Sequence, residues 1–305
     1  MRTIIVGMGV QGEKRKKFLG KDYKYSIDKF KKADFKTIYQ VPLDDYDAVL
    51  VCVPENEKLK IINYSIKNKK HVLIEKPFLV KKNKILKNIE KIAQKNKVVC
   101  YTAYNHRFEP NIIKMKRLIE SKKLGKIYSC RLFYGNGTSL LVKKSKWRDK
   151  GKGVLTDIGS HLIDISLYLF GKKITFLKTI ELNRFENKAP DHSILRLEIG
   201  KIKIELEMTL CMWKNTFSCD VIASKGSAHL DSLCKWSKNT FKFCKRKFPS
   251  GKPNEKIVSF KKGDPTWKAE YLFFKKLVNS NIKTNLSKDL IINNLFLRLN
   301  KSTSR

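Results

Sequence analysis

Over the first 120 residues, apolar runs of strand length alternate with helical patterns, and no other feature of the chain constrains its fold as tightly. Candidate strands are Thr3–Val6, Lys24–Ile27, Ala48–Val53, His71–Ile74 and Val98–Tyr101. Between the last three lie helical stretches near Glu57–Lys67 and Lys82–Lys95. Their apolar residues, Leu59/Ile62/Ile66 and Ile85/Ile89/Ile92, recur at helical spacing. Alternation of this kind is satisfied by a parallel sheet with helices packed on its faces. The expectation is an α/β chain whose residues 1–120 form a compact, doubly wound domain.

Beyond Gly125 the pattern changes. Ile202, Ile204, Leu206, Met208 and Leu210 alternate with Lys201, Lys203, Glu205, Glu207 and Thr209. A period of two gives a strand with one covered and one wet face, as in antiparallel sheets. Further strand-like runs are Ser193–Ile199, Thr216–Ala223 and Ser227–Leu233, and helical patterns follow near Trp267–Asn279 and Lys288–Asn300. Residues 121–305 therefore read as a second α/β domain on a large, open, mainly antiparallel sheet. Whether the last helix packs back on the first domain is left open. A chain of 305 residues is long enough for two such cores.

The charge balance is extreme: 66 Lys and Arg against 28 Asp and Glu give +38. Only 11 of the 66 are Arg, the side chain that reads guanine edges, and the lysines are scattered in short runs such as Lys69–Lys70, Lys122–Lys123 and Lys143–Lys146. This reads as a solvated basic surface with no specific nucleic-acid partner, although its field should favour anionic ligands. The seven cysteines are odd in number and none are in CxxC spacing. They suggest neither a disulfide framework nor a zinc cluster, and fit a reducing compartment. No apolar run approaches the ~20 residues of a membrane span, and Met1–Gly7 enters a strand without the apolar region of a signal peptide. The expectation is a soluble, cytoplasmic protein with no membrane partner.

Three motifs carry chemistry. The first, Gly7-Met8-Gly9-Val10-Gln11-Gly12, follows a strand and opens a helix. Its glycines allow a tight turn, close approach of a pyrophosphate and close helix packing, with phosphate on the helix N-terminus. Asp28, 21 residues after Gly7, ends the next strand, where a carboxylate accepts from ribose hydroxyls and repels a 2′-phosphate. That favours NAD over NADP, while the adjacent Lys29 keeps NADP open. The second motif, His71-Val72-Leu73-Ile74-Glu75-Lys76-Pro77, projects Glu75 and Lys76 at the carboxyl edge of the sheet, where open α/β sheets bind ligands. A lysine there could hold a hydroxyl or carbonyl oxygen beside a nicotinamide. In the third, Asp157, His161 and Asp164 stand at i, i+4 and i+7, which on a helix share one face. His161 could remove a proton from a hydroxyl with Asp157 tuning it. A buried structural histidine and a metal site compete with this reading, but one His and two carboxylates are thin for a transition metal, and none is expected.

Together the three motifs resemble the Gfo/Idh/MocA oxidoreductases, named for glucose–fructose oxidoreductase and inositol dehydrogenase. Supporting fragments are Tyr104-Asn105-His106-Arg107-Phe108-Glu109-Pro110, Leu124-Gly125-Lys126-Ile127 and Trp147-Arg148. The resemblance covers nearly the whole chain. It implies an N-terminal Rossmann domain and NAD(P)-dependent hydride transfer to or from a sugar or nucleotide-sugar hydroxyl or ketone. Carried over by motif, Lys76 orients the substrate hydroxyl, His161 is the general acid/base, and Asp157 is its partner or a substrate ligand. Glu75 and Pro77 shape the cofactor pocket, Asn105 and Arg107 line the substrate side, and Asp164 is structural. The resemblance further implies a homodimer or homotetramer.

Two departures stand out. Where the family often has a Thr-Pro-Asn-x-x-His-like run, this chain reads Val53-Pro54-Glu55-Asn56-Glu57-Lys58, which leaves the contacts of Val53 and Pro54 to the nicotinamide ribose open. The segment from Gly12 to Tyr23 leaves room only for a short first helix. Other readings remain at this stage: a dinucleotide-binding sensor without turnover, and a glycosidase in which bound NAD oxidises the sugar transiently.

Overall fold

The computed structural model describes residues 1–302 except 146, 147, 172, 237, 261, 262 and 281. Lys146 and Trp147, named above, lie outside the described residues. In chain order the first elements are β1 (Thr3–Val6), α1 (Val10–Leu19), β2 (Tyr23–Ile27), β3 (Ala48–Val51), α2 (Glu55–Lys67), β4 (His71–Glu75), α3 (Asn83–Lys95) and β5 (Cys100–Ala103). There follow α4 (Pro110–Glu120), β6 (Ile127–Gly135), α5 (Ser139–Lys143), a π-helical turn at Leu155–Gly159 and α6 (Ser160–Phe170). The rest comprises β7 (Ile174–Asn183), β8 (His192–Ile199), β9 (Ile202–Thr209), β10 (Thr216–Ala223), β11 (Gly226–Asp231), β12 (Asn239–Lys245), β13 (Asn254–Phe260), α7 (Thr266–Asn279) and α8 (Ser287–Ser302).

Two compact units result among the described residues: residues 1–105 with those from 266 onward, and residues 106–265. In the first, five parallel strands run in the order β2-β1-β3-β4-β5. Alternate residues of each strand serve opposite faces. Ile4, Val6, Val49, Val51, Val72 and Ile74 pack with Ile62 and Ile66 of α2 and Leu86 and Ile89 of α3. Ile5, Leu50 and Leu73 pack on the other side with Leu19 of α1 and Tyr271 and Phe274 of α7. Both faces are apolar because both are covered, which is why these strands read as continuous hydrophobic runs. The C-terminal segment is part of this unit: Thr284 Oγ1 accepts from Cys100 N at 2.8 Å, and Asn293 Oδ1 accepts from Val80 N at 2.9 Å.

The second unit is an eight-stranded sheet in the order β13-β12-β11-β10-β6-β9-β8-β7, antiparallel except for the β6–β9 pair. In β9 the inward residues Ile204, Leu206 and Met208 are buried. The outward Glu205 and Glu207 pair across strands, Glu207 with Arg131 at 2.9 Å and Glu205 with Arg196 at 3.1 Å. One face of the sheet is thus wet and charged, as the alternation predicts. Contacts place α4 here rather than with residues 1–105, with Ile112 and Met115 buried, whereas the sequence pattern puts the boundary at 120.

Candidate active site

The glycine turn after β1 is built for a ligand on one side only. Gly7 has φ +98°, and a Cβ there would come within 2.6 Å of Cys52 O; one on Gly12 would come within 2.0 Å of Gly7 O. A side chain on Gly9 would meet nothing within 4 Å. The outer two glycines therefore serve close packing, and the middle one keeps the space before α1 clear. Gly9 is the N-cap of α1, with Val10 and Gln11 in the first turn, where unsatisfied N–H groups favour phosphate. Asp28, at the tip of β2, accepts from Met8 N at 2.7 Å and from Phe30 N and Lys31 N at 2.8 and 2.9 Å. Burial works against its charge, but these N–H groups outweigh it and hold the pKa below the ordinary value. Lys29 beside it is exposed. A cleared backbone cradle with an ionised carboxylate at the end of the next strand fits a dinucleotide.

The end of β4 is held from below. Glu75 is buried and its Oε1 accepts from Arg15 Nε at 2.6 Å, while Arg15 Nη2 donates to Glu270 Oε2 at 2.7 Å. The helix that opens at the glycine turn, the strand that ends at Glu75 and α7 are thereby tied through one guanidinium. Lys58 of α2, 2% exposed, donates to the carbonyls of Glu75 and Pro77, both at 2.6 Å, and pairs with Glu55. The residue standing where the family has histidine clamps the two peptide carbonyls on either side of Lys76, which itself is half-buried. Asn105 is buried and donates to Thr266 Oγ1 at 2.8 Å.

In the second unit the third motif straddles two kinds of helix. Regular α6 carries His161 and Asp164, but Asp157 lies in the π-helical turn before it. With i→i+5 bonding the angular offset per residue changes, so the expectation that all three share one α-helical face holds only within α6. Asp157 Oδ2 accepts from Arg148 Nη2 at 2.8 Å. Asp164, 1% exposed, takes a two-pronged bond from Arg107, both distances 2.7 Å. The fork of Arg107 is therefore spent at least in part on holding α6. His161 is 8% exposed, and its ring lies 4.0 Å from that of His106. Around this pair stand Tyr134, with its ring 5.7 Å from His106, and Lys235. His106, Tyr134, Lys58 and Arg15 had no assigned role from sequence. The signal for Lys58 was present as a departure from a motif, and that for His106 as a fragment beside Asn105.

Family comparison settles the class. The oxidoreductase family with an NAD-binding Rossmann fold matches residues 2–104, and the GFO/IDH/MocA C-terminal domain matches residues 112–229. The chain belongs to the GFO/IDH/MocA oxidoreductase family. Among curated family relatives, it is similar to glucose-6-phosphate 3-dehydrogenase of Bacillus subtilis: 31% identical over 170 residues, 53% of this chain and 46% of that protein. It is similar as well to myo-inositol 2-dehydrogenase of Thermotoga maritima, 28% identical over 194 residues, 61% of this chain and 57% of that one. The matches span 36% to 57% of the length of such curated GFO/IDH/MocA relatives. A levoglucosan dehydrogenase structure in complex with NADH shares the fold, with TM-score 0.80 at 15% identity over 98% of this chain and 96% of that one.

Proposed function

We propose that this GFO/IDH/MocA member is an NAD-dependent dehydrogenase of a sugar or nucleotide sugar. His161 carries the reading: a histidine buried on an apolar helix, packed against a second imidazole, in a family defined by dinucleotide-linked redox chemistry. When bound, NAD supplies the hydride acceptor. The Gly7–Gly12 turn and the α1 N-terminus hold its pyrophosphate, Asp28 takes the ribose hydroxyls, and Val53, Pro54, Glu75 and Pro77 bound the nicotinamide side. Neutral His161 accepts the hydroxyl proton, and Lys76 orients that oxygen and stabilises the negative charge growing on it. Asp157 and Arg107 act through orientation on the substrate side, and Asn105 lines the same path.

Named relatives that oxidise sugars and inositols support the substrate class. The seven free cysteines support a cytoplasmic setting. No described helix is long and apolar enough to cross a membrane. The wet face of the eight-stranded sheet supports assembly as a homodimer or homotetramer.

Replacement of His161 or Lys76 by alanine tests the roles. Each acts on the transition state more than on dinucleotide binding, so each variant should lose turnover by ~10²-fold or more with NADH affinity nearly unchanged. Full turnover in both variants on a verified substrate would place the site elsewhere.

A further inference from the structure

Lys235 lies in the turn between β11 and β12 and is exposed to solvent. Its ammonium nonetheless has a fixed place. It donates to Tyr134 Oη at 2.9 Å, lies 3.5 Å from His106 Nε2, and sits 4.7 Å from the ring centroid of Trp236. The turn is anchored one residue earlier: Glu109, 1% exposed, accepts from Cys234 N at 2.5 Å and from Cys234 Sγ at 2.6 Å. A buried carboxylate thus fixes the backbone from which Lys235 projects.

Its charge is not spent. Among the described residues Lys235 bonds to a phenol oxygen, lies 3.5 Å from an imidazole nitrogen and forms no ion pair. An ammonium has three N–H donors, so one remains. Surrounding protein disfavours the ammonium and lowers its pKa, while Asp264, Glu109 and Asp157 pull the other way at longer range. Of these, Glu109 is engaged by Cys234 and Asp157 by Arg148. The ring of His106 touches both groups: Lys235 Nζ lies 3.5 Å from its Nε2, and the His161 ring centroid lies 4.0 Å from its own.

We propose that Lys235 determines specificity by receiving an anionic substituent, a carboxylate or phosphate, on the sugar whose hydroxyl faces His161. The inference rests on the dehydrogenase reading for the second half of that statement. A charge-assisted bond to a prearranged ammonium is among the stronger polar contacts, and the net +38 brings anions towards the protein. The same residue leaves neutral sugars with an unmatched cation.

Titration calorimetry on the NADH-loaded protein tests this with D-glucuronate, D-glucose 6-phosphate and D-glucose, on the unmodified chain, Lys235→Met and Lys235→Arg. At least one anionic sugar should bind tenfold or more tighter than glucose. Lys235→Met should erase that preference while keeping NADH affinity, and Lys235→Arg should retain most of it. Comparison of the two anions, with inorganic phosphate as competitor, separates carboxylate from phosphate. Equal binding of all three sugars, or a preference that survives Lys235→Met, overturns the assignment. Selective anion binding lost in Lys235→Met, but with no NADH formed from NAD, keeps the Lys235 assignment and removes the dehydrogenase reading.

Discussion

At the scale of single residues, charges buried beside two turns of the first unit do positional work. Lys58 occupies a position that resemblance alone marks as aberrant. In the fold its ammonium satisfies two buried carbonyls flanking Lys76, and leaving such acceptors unpaired costs about 1–3 kcal/mol each. The departure is a different donor performing a definable task, which motif comparison could not reveal. Asp28 presents a second case. Its three N–H partners keep it ionised and fix the turn at Met8, so on the proposed role its charge would repel a 2′-phosphate while its backbone bonds shape the turn. Asp28→Ala should therefore narrow the gap between NADH and NADPH affinity and weaken both. Calorimetry showing NADPH bound as well as NADH by the unmodified protein would contradict this and assign Lys29 to the phosphate.

At the scale of elements, legibility followed burial pattern. The strands β1 to β5 and β8 to β10 announced themselves because their faces are either both covered or cleanly alternating. The exposed β13 has almost no buried position, and β7 alternates poorly, so neither stood out. Helix α6 is buried nearly all round, and the π-helical turn before it has no compositional marker, so the sequence gives no sign that Asp157 leaves the regular helix of His161. The Arg15–Glu270 contact joins residues 255 apart, a pairing invisible to any local pattern. The burial of Glu270 has a measurable consequence. Burial pushes the Glu270 carboxyl up to about 7, against the pull of Arg15 and with the push of Glu75. A carboxyl raised in the folded state contributes stability below its unfolded pKa, and that contribution is lost as pH rises through about 7. Denaturant unfolding at pH 5.5 and 8 should show a loss on the order of 2 kcal/mol attributable to this group. His71, whose pKa burial lowers, acts in the opposite sense, so the comparison is with Glu270→Gln at each pH. Glu270→Gln should flatten the dependence; an unchanged slope would show that Glu270 does not titrate in this range.

At the scale of the whole molecule, the eight-stranded sheet exposes a face where Arg131, Arg196, Glu205 and Glu207 form cross-strand pairs and Ile222 is 52% exposed. Surface pairs of this kind add little stability by themselves, and an exposed face of mixed character suits a copy of the same chain. Light scattering at micromolar concentration should give a dimer or tetramer, and a stable monomer would refute it. The net charge acts at this scale too, as a field that attracts anions and weakens with salt. What the molecule does with them is decided by redox stoichiometry. With NAD and a panel of neutral and anionic sugars, NADH absorbance and oxidised sugar should rise together, one for one, and both should vanish in His161→Ala. Release of an aglycone without NADH, or tight NADH binding with no sugar oxidised, would contradict the account.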